Sequence, residues 1–190
     1  SKFKWVYHPV LQVHKHPKYT RGSGANYDLG LLILKSKITN VTPIPISRSK
    51  MEQSWIGKTV KVMGYGLTQT RPSFRSADRK YAADIPIYEI TTNHFTHYDQ
   101  KTKKSACHGD SGGPAFFKVK DKILVVGVTS VAYRATSAGQ GRTYCDGGAI
   151  STRPDAHQDW LNPYLQRYGD GPEPCKVDKD CFACTTCQKN

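Results

Sequence analysis

Acidic side chains are scarce in this chain. It has 15 Asp and Glu residues against 28 Lys and Arg residues, for a formal net charge of +13. A surface this basic attracts polyanions such as nucleic acids or anionic cell surfaces. No motif that interleaves basic and aromatic residues accompanies the charge, and its absence favours a solvated basic surface over a nucleic-acid interface. A polyanion is therefore a possible partner, but a solvated basic surface is the favoured interpretation.

Long apolar runs are lacking as well. No stretch approaches the roughly 20 apolar residues that a membrane-spanning helix needs, so the sequence predicts no membrane span. The chain opens on the polar, basic stretch Ser-Lys-Phe-Lys-Trp and not on a signal peptide. If the protein is exported, its signal has already been removed. The sequence also shows no internal repeat.

Short apolar runs separated by Gly, Pro, Asn and Ser make up most of the chain. They predict strands at residues 10–13, 29–34, 60–63, 85–90, 114–117 and 123–128. Many short strands with few helical stretches predict an all-β barrel or sandwich. One helix is predicted after Asp155, which can cap its first turn, and Pro163 is expected to kink or interrupt this helix. Residues 169–174 are interpreted as a linker and residues 175–190 as a cysteine-rich tail.

The segment with the most specific chemistry is residues 105–114, Ser-Ala-Cys-His-Gly-Asp-Ser-Gly-Gly-Pro. A serine hydroxyl is a weak nucleophile at neutral pH, so it needs a base and a set of donors for the oxyanion that forms on the substrate. The glycines on both sides of Ser111 let the backbone turn sharply and let a substrate carbonyl approach. The amides of Gly109 and Ser111 can then point at the same oxygen atom.

The loop Gly-Asp-Ser-Gly-Gly-Pro resembles the nucleophile loop of the trypsin/chymotrypsin family of serine proteases. Other segments resemble the family in the same order: residues 13–19, 27–32, 41–46, 64–66, 127–130 and 148–153, and the tryptophan at 160. The resemblance covers residues 10 to 168. It implies an all-β protease domain at residues 1–168, with two six-stranded antiparallel β-barrels, the first incomplete in this chain, and one C-terminal helix.

The resemblance assigns roles residue by residue. Ser111 would be the nucleophile, and Asp28 would orient the histidine base and stabilise its imidazolium form. Gly109 and Ser111 would supply the oxyanion hole. Asp110 would accept a salt bridge from a chain N-terminus released by activation cleavage. Ser130 would hydrogen-bond near Asp28, and it would also be a substrate-binding residue, since residues 127–130 resemble the strand that pairs with substrate backbone.

Four residues would surround the primary specificity pocket: Ser105, His108, Ala132 and Ala149. Ser105 would lie at the bottom, where an aspartate would pair with Arg or Lys, and a serine does not. The methyl groups of Ala132 and Ala149 would narrow the walls, and His108 would contact substrate at the rim. The expected preference is therefore for apolar substrate side chains of moderate size before the scissile bond.

The even number of cysteines indicates disulfides and an oxidising compartment, either extracellular or, in a bacterium, periplasmic. Cys107 and Cys145 resemble the family's pair that braces the pocket wall, which implies a disulfide between them. The tail lies outside the resemblance, and in an exported protein it fits two disulfides better than a zinc or iron–sulfur site. Its connectivity stays open for Cys175, Cys181, Cys184 and Cys187. No metal or cofactor is expected.

The family's catalytic histidine has no counterpart in these 190 residues. In the family it lies well upstream of the aspartate, in a Thr-Ala-Ala-His-Cys context that does not occur here. The three histidines that precede Asp28, at positions 8, 14 and 16, are interpreted as surface residues. Under the first hypothesis, a separate N-terminal chain of the same precursor supplies the histidine, the partner of Asp110 and the missing strands of a secreted serine endopeptidase.

Under the second hypothesis, the protein is a catalytically inactive homologue that binds polyanions or cell surfaces through its basic face. The first is favoured, because half a barrel left alone would expose core faces that folding normally buries. A protein or peptide substrate is the expected partner of the active site.

Overall fold

The computed structural model describes residues 6–68, 79–132, 145 and 147–169. Eight strands are present: β1 (Val10–Lys15), β2 (Gly30–Leu34), β3 (Thr59–Gly64), β4 (Tyr81–Ile90), β5 (His94–His97), β6 (Pro114–Val119), β7 (Lys122–Ala132) and β8 (Ala149–Thr152). Single 3-10 turns lie at Gln53–Trp55 and Pro154–His157, and helix α1 covers Gln158–Tyr168. Each strand predicted from an apolar run is present, whereas β5 was not predicted. The tail at residues 175–190 and all of the linker except its first residue lie outside the described residues.

Six strands close into an antiparallel barrel in the order β3-β4-β5-β8-β7-β6. The barrel closes where β6 pairs with β3, at Lys61 with Phe116 and at Val62 with Ala115. Inward-facing apolar side chains fill its interior, among them Val60, Ile85, Phe95 and Leu124, all fully buried. Each such side chain contributes about 1.5–3 kcal/mol through burial. The mostly-β prediction is confirmed for this barrel.

Strands β1 and β2 form a separate two-stranded antiparallel sheet, with Val13 opposite Leu32. Apolar side chains on this sheet are exposed to solvent: Val13 is 70% and Leu32 61% exposed. A two-stranded sheet is only marginally stable by itself. Of the expected first barrel, the described residues contain this partial sheet.

Two sets of hydrogen bonds join the N-terminal half of the chain to the barrel. The Ser47 amide donates to the Val125 carbonyl at 2.8 Å, and the Val125 amide donates to the Pro45 carbonyl at 2.9 Å. The Thr152 hydroxyl donates to the Ala25 carbonyl at 3.0 Å. The second contact holds the loop before β2 against the end of β8, and this loop carries Asp28.

The prediction that Asp155 caps the terminal helix is wrong. Asp155 lies in the 3-10 turn before α1, and its Oδ2 accepts a hydrogen bond from the Met51 amide at 2.8 Å. It also pairs with Arg153, whose Nη2 lies 2.5 Å from the same oxygen, and both side chains are 4% exposed. Arg153 in addition donates to the Thr91 carbonyl at 2.5 Å. The carboxylate thus serves a buried ion pair that joins distant segments.

Helix α1 runs without interruption through Pro163, so the predicted break does not occur. An internal proline removes one backbone hydrogen bond and costs about 3 kcal/mol in an isolated helix. Here tertiary packing offsets that cost, since Leu161 is buried and the Tyr164 ring packs at a tilt against His14, with ring centroids 4.6 Å apart. The helix therefore packs against the β1–β2 side of the molecule.

Candidate active site

The loop that carries Ser111 is fastened to strand β7. The Gly112 amide donates to the Thr129 carbonyl at 2.8 Å, and the Thr129 amide donates to the Gly113 carbonyl at 2.8 Å. Ser111 itself is exposed. The loop therefore presents the serine hydroxyl to solvent from a backbone that is fixed to β7 directly after Ser111.

The two amides expected to form the oxyanion hole belong to Gly109 and Ser111. Gly109 has φ +93°, and a Cβ atom there would lie 3.0 Å from the Gly66 Cα atom, so the position requires glycine. Within the described residues, neither amide donates a hydrogen bond to another protein group. Both donors are therefore free to bind an oxygen atom of a substrate.

The Asp110 carboxylate supports this loop from below. Its Oδ1 accepts a hydrogen bond from the Gly66 amide at 2.8 Å, and its Oδ2 accepts one from the Cys107 amide at 2.9 Å. A Cβ atom would lie 2.1 Å from Oδ1 at Gly64 and 2.5 Å from it at Gly66. The two glycines of the Gly-Tyr-Gly segment therefore leave the space that the carboxylate occupies. The salt bridge from Asp110 to a chain N-terminus stays a prediction.

Asp28 lies in a tight turn just before β2. The Leu29 amide donates to the Tyr27 carbonyl at 2.8 Å across this turn, and Tyr27 has φ +58°. The Ser130 hydroxyl donates to Asp28 Oδ2 at 2.6 Å. Since Asp28 is half-buried, this contact with a hydroxyl of β7 fixes the orientation of its carboxylate.

Ser130 also contacts Ser111. The Ser111 hydroxyl donates to the Ser130 carbonyl at 3.4 Å, so one residue of β7 touches both Ser111 and Asp28. In the described part of the chain, no imidazole is hydrogen-bonded to either residue. The structure thus brings together the serine and the aspartate that the sequence singled out, although 82 residues separate them in the chain.

The residues expected around the pocket differ in exposure. Ser105 is half-buried, and its hydroxyl oxygen is buried without a hydrogen-bond partner among the described residues. Ala132 is half-buried at the end of β7, opposite Ala149 on β8. Ala149 is fully buried within the barrel core. His108 is exposed, and its carbonyl accepts a hydrogen bond from the Leu67 amide at 2.9 Å.

His97 is a buried residue near this region that sequence reasoning missed. It is fully buried on β5 opposite Ala149, and its Nε2 lies 3.0 Å from the Ser151 hydroxyl. An isolated antiparallel bridge between Asp99 and Lys104 follows β5 two residues after His97. Burial lowers the pKa of His97 to about 4, so its ring is neutral near pH 7. The available signal was the phenylalanine two residues earlier, which marks the inward face of the strand.

The predicted disulfide between Cys107 and Cys145 is confirmed, with Cα atoms 5.3 Å apart. It fastens the chain just before the Ser111 loop to the segment that precedes β8. Among the described residues, no group of three or more His, Cys, Asp or Glu side chains is arranged to hold a metal ion. None of the helices in that part of the chain has the length and apolar character needed to cross a membrane.

Comparison with known proteins adds independent information. The family model for trypsin matches residues 4–151. Clotting factor C of Tachypleus tridentatus is 26% identical over 179 residues, which cover 82% of this chain and 17% of that protein. Phenoloxidase-activating factor 3 of Holotrichia diomphalia is 26% identical over 173 residues, or 80% of this chain and 46% of that protein.

Chymotrypsin-like elastase family member 1 of Canis lupus familiaris is 25% identical over 167 residues, which cover 80% of this chain and 62% of that protein. The chain therefore spans less than two thirds of the length of each of these relatives. The match to the family model extends over more than three quarters of the chain. On this evidence, together with the closed barrel that carries the serine loop, the chain belongs to the trypsin family of serine proteases.

Proposed function

We propose that this protein is a secreted serine endopeptidase that hydrolyses peptide bonds through an acyl-enzyme on Ser111. The observation that carries the proposal is the position of Ser130, whose carbonyl faces the Ser111 hydroxyl at 3.4 Å and whose hydroxyl binds Asp28 at 2.6 Å. Ser111 and Asp28 thus both contact Ser130, and a histidine between them would be able to bridge the proposed nucleophile and the proposed acid. The disulfide supports secretion, since such bonds persist in oxidising compartments.

In this mechanism the Ser111 hydroxyl attacks the scissile carbonyl while the histidine base takes its proton. The amides of Gly109 and Ser111 stabilise the oxyanion, and a single donor of this kind contributes about 10²- to 10³-fold in rate. The protonated base then gives its proton to the leaving amine. Water attacks the acyl-enzyme in a second round and releases the product. Asp28 holds the imidazole in the required orientation throughout.

The histidine would come from a separate N-terminal chain of the same precursor. The exposed sheet of β1 and β2 supports this step, because Val13 and Leu32 lie opposite each other and are 70% and 61% exposed. Further strands packed on this sheet would bury that apolar surface, at about 25 cal/mol for each Å². The same chain would supply the N-terminus that pairs with Asp110.

The proposed substrates are proteins with an apolar side chain of moderate size before the scissile bond. Ser105 offers a neutral hydroxyl at the bottom of the pocket, and a neutral group does not compensate the charge of a buried Lys or Arg. Ala132 would narrow the adjoining wall. The net charge of +13 would weakly favour acidic sequences around the bond, and salt would reduce this effect.

Labelling with a fluorophosphonate probe tests the proposal. The protein expressed from its complete precursor, folded with its disulfide intact, should be labelled on Ser111. The Ser111→Ala variant should show no label, and Asp28→Asn should be labelled about 10⁴-fold more slowly, as in triads of this type. An unlabelled Ser111 in the folded protein that retains its upstream chain would contradict the enzyme assignment. Strict cleavage after Arg or Lys in a peptide library would contradict the pocket assignment alone.

The second candidate is a catalytically inactive homologue that binds polyanions. It is favoured by the net charge of +13. This candidate predicts salt-dependent binding to a heparin column together with no labelling of Ser111. Labelling without retention at physiological salt would exclude it.

A further inference from the structure

Three rings pack together on the side of Asp28 that faces the terminal helix. The His16 ring stacks on the Tyr27 ring with centroids 5.0 Å apart, and the His157 ring lies 5.3 Å from Tyr27 and 5.0 Å from His16. Trp160 of α1 closes the cluster at 4.8 Å from His16. His16 and His157 are 5% and 4% exposed, so the interpretation of His16 as a surface residue is wrong.

This ring cluster touches the turn that carries Asp28. Tyr27 immediately precedes Asp28 and has φ +58°, a left-handed conformation that is unfavourable for a bulky residue. The turn is closed by the Leu29 amide on the Tyr27 carbonyl at 2.8 Å, and the Leu29 carbonyl accepts a hydrogen bond from the His16 amide at 2.9 Å. Surrounding packing must hold such a backbone in place. The two imidazoles provide that packing.

The hydrogen bonds of both imidazoles fit neutral rings. His16 Nδ1 accepts a hydrogen bond from the Lys18 amide at 3.2 Å, and a proton on that nitrogen would remove the bond. His157 bonds to the Asn93 backbone, and its Nε2 is buried without a partner among the described residues. A cationic His157 would therefore have an unsatisfied N–H group inside the cluster.

The charged groups around the cluster do not reverse this preference. The Lys18 ammonium group lies 5.6 Å from the centre of the Tyr27 ring and opposes charge on His16. Asp155 favours a charged His157, whereas Arg153 and His16 oppose it. The pKa values of His16 and His157 are both lowered, mainly by burial and secondly by the neighbouring Lys18 and His16, respectively.

We propose that Tyr27 is a positioning residue for Asp28, that the neutral rings of His16 and His157 hold it in place, and that protonation of this cluster displaces Asp28. The inference rests on the proposed role of Asp28 in catalysis. Acidification puts a proton on an imidazole that the folded cluster keeps neutral. The ring contacts then weaken, and the strained turn at Tyr27 relaxes. The Asp28 carboxylate moves away from the Ser130 hydroxyl that holds it.

Two substitutions at His157 separate ring packing from protonation. His157→Phe keeps a flat ring that takes no proton, whereas His157→Asn keeps a side-chain N–H for the Asn93 carbonyl and removes the ring. A third variant, Tyr27→Gly, keeps the left-handed backbone and removes the ring. His8→Phe is the matched control, since His8 is exposed and lies outside the cluster.

The first readout is the rate of fluorophosphonate labelling of Ser111 between pH 5 and pH 8, in protein expressed from its complete precursor. At pH 8, His157→Asn and Tyr27→Gly should be labelled about tenfold more slowly than the wild type, because the acid is misplaced. At pH 8, His157→Phe should be labelled at the wild-type rate within about twofold. Between pH 8 and pH 5, the labelling rate of the wild type should fall by a factor at least about three times larger than that of His157→Phe. Unchanged rates and pH profiles in all three variants would overturn the inference.

The second readout does not depend on activity. The carbon-13 shift of the Asp28 carboxyl group, assigned with Asp28→Asn, should change over the pH range in which the imidazoles take up protons, and His157→Phe should weaken that change. If Ser111 is not labelled at any pH, the proposed function fails, and this titration alone decides the positioning role. A pH dependence of the Asp28 signal that is the same in the wild type and in His157→Phe would overturn that role.

Discussion

The fully buried His97 should make the stability of the fold sensitive to acid. Its pKa is about 4 in the folded protein, because burial opposes the charged ring. In the unfolded chain the pKa is about 6.5. Below pH 6.5 the unfolded chain therefore binds more protons at this site than the folded protein does, so acidification favours unfolding. The contribution is fully present above the unfolded pKa and is lost as pH falls towards the folded one.

The magnitude follows from these two pKa values. Between pH 7.5 and pH 5, this one site should remove about 2 kcal/mol from the free energy of unfolding. That is a large share of a total stability of about 5–15 kcal/mol for a typical domain. The His97→Gln variant does not titrate and keeps an amide able to reach the Ser151 hydroxyl. Between pH 7.5 and pH 5, the free energy of unfolding of His97→Gln should therefore fall by about 2 kcal/mol less than that of the wild type.

Urea unfolding of the disulfide-intact protein at pH 7.5, 6.5, 5.5 and 5.0 would measure this difference. Three other histidines, the buried His16 and His157 and the half-buried His94, also have lowered pKa values, chiefly because of desolvation. They are present in both proteins and cancel in the comparison. If the wild type and His97→Gln lose the same stability on acidification, within about 0.5 kcal/mol, then His97 is not a buried neutral ring and the reasoning fails.

Three further predictions address the ion pair, the glycine contacts and the disulfide. Arg153→Met should lower the free energy of unfolding by about 3–5 kcal/mol, because it leaves a buried carboxylate unpaired; calorimetry would measure it, and a loss below about 1 kcal/mol would contradict the burial of the pair. Gly66→Ala should slow Ser111 labelling about 100-fold, because its Cβ would lie 2.5 Å from Asp110 Oδ1, whereas Gly30→Ala, with a nearest contact of 3.6 Å, should have little effect. Reducing the Cys107 disulfide, which closes a loop of 38 residues, should cost about 4 kcal/mol in a urea titration with and without reductant, and equal midpoints would refute it.

The parts of the fold that could be predicted from sequence are those with local signals. Apolar runs marked six of the eight strands, and the resemblance of residues 148–153 to the family marked β8. Strand β5 was missed because its second inward residue is His97, which a period-two apolar pattern counts as polar. The buried His97 ring has its hydrogen-bond partner, the Ser151 hydroxyl, on another strand, and no local sequence pattern shows that partner.

The same distinction applies around the site. The serine loop is one contiguous segment, and the disulfide followed from the family resemblance. His16 was interpreted as a surface residue because it lies in a segment that corresponds to a loop of the family, but its ring packs on Trp160 and His157, which follow more than 140 residues later. Asp155 satisfied the local rule for a helix cap, yet its partner amide belongs to Met51. Contacts between distant segments decided both cases.

The strand order of the barrel bears on how quickly the protein folds. Closure requires pairing Lys61 with Phe116 and Phe95 with Ser151, and each pair is more than fifty positions apart in the chain. Such distant pairings are slow to form, and barrels dominated by them fold in milliseconds to seconds. The loop of Ser111 joins β5 to β6 and bonds to β7, so its geometry is established only when the barrel closes. A newly made chain would therefore complete most of its folding before Ser111 is held in this geometry.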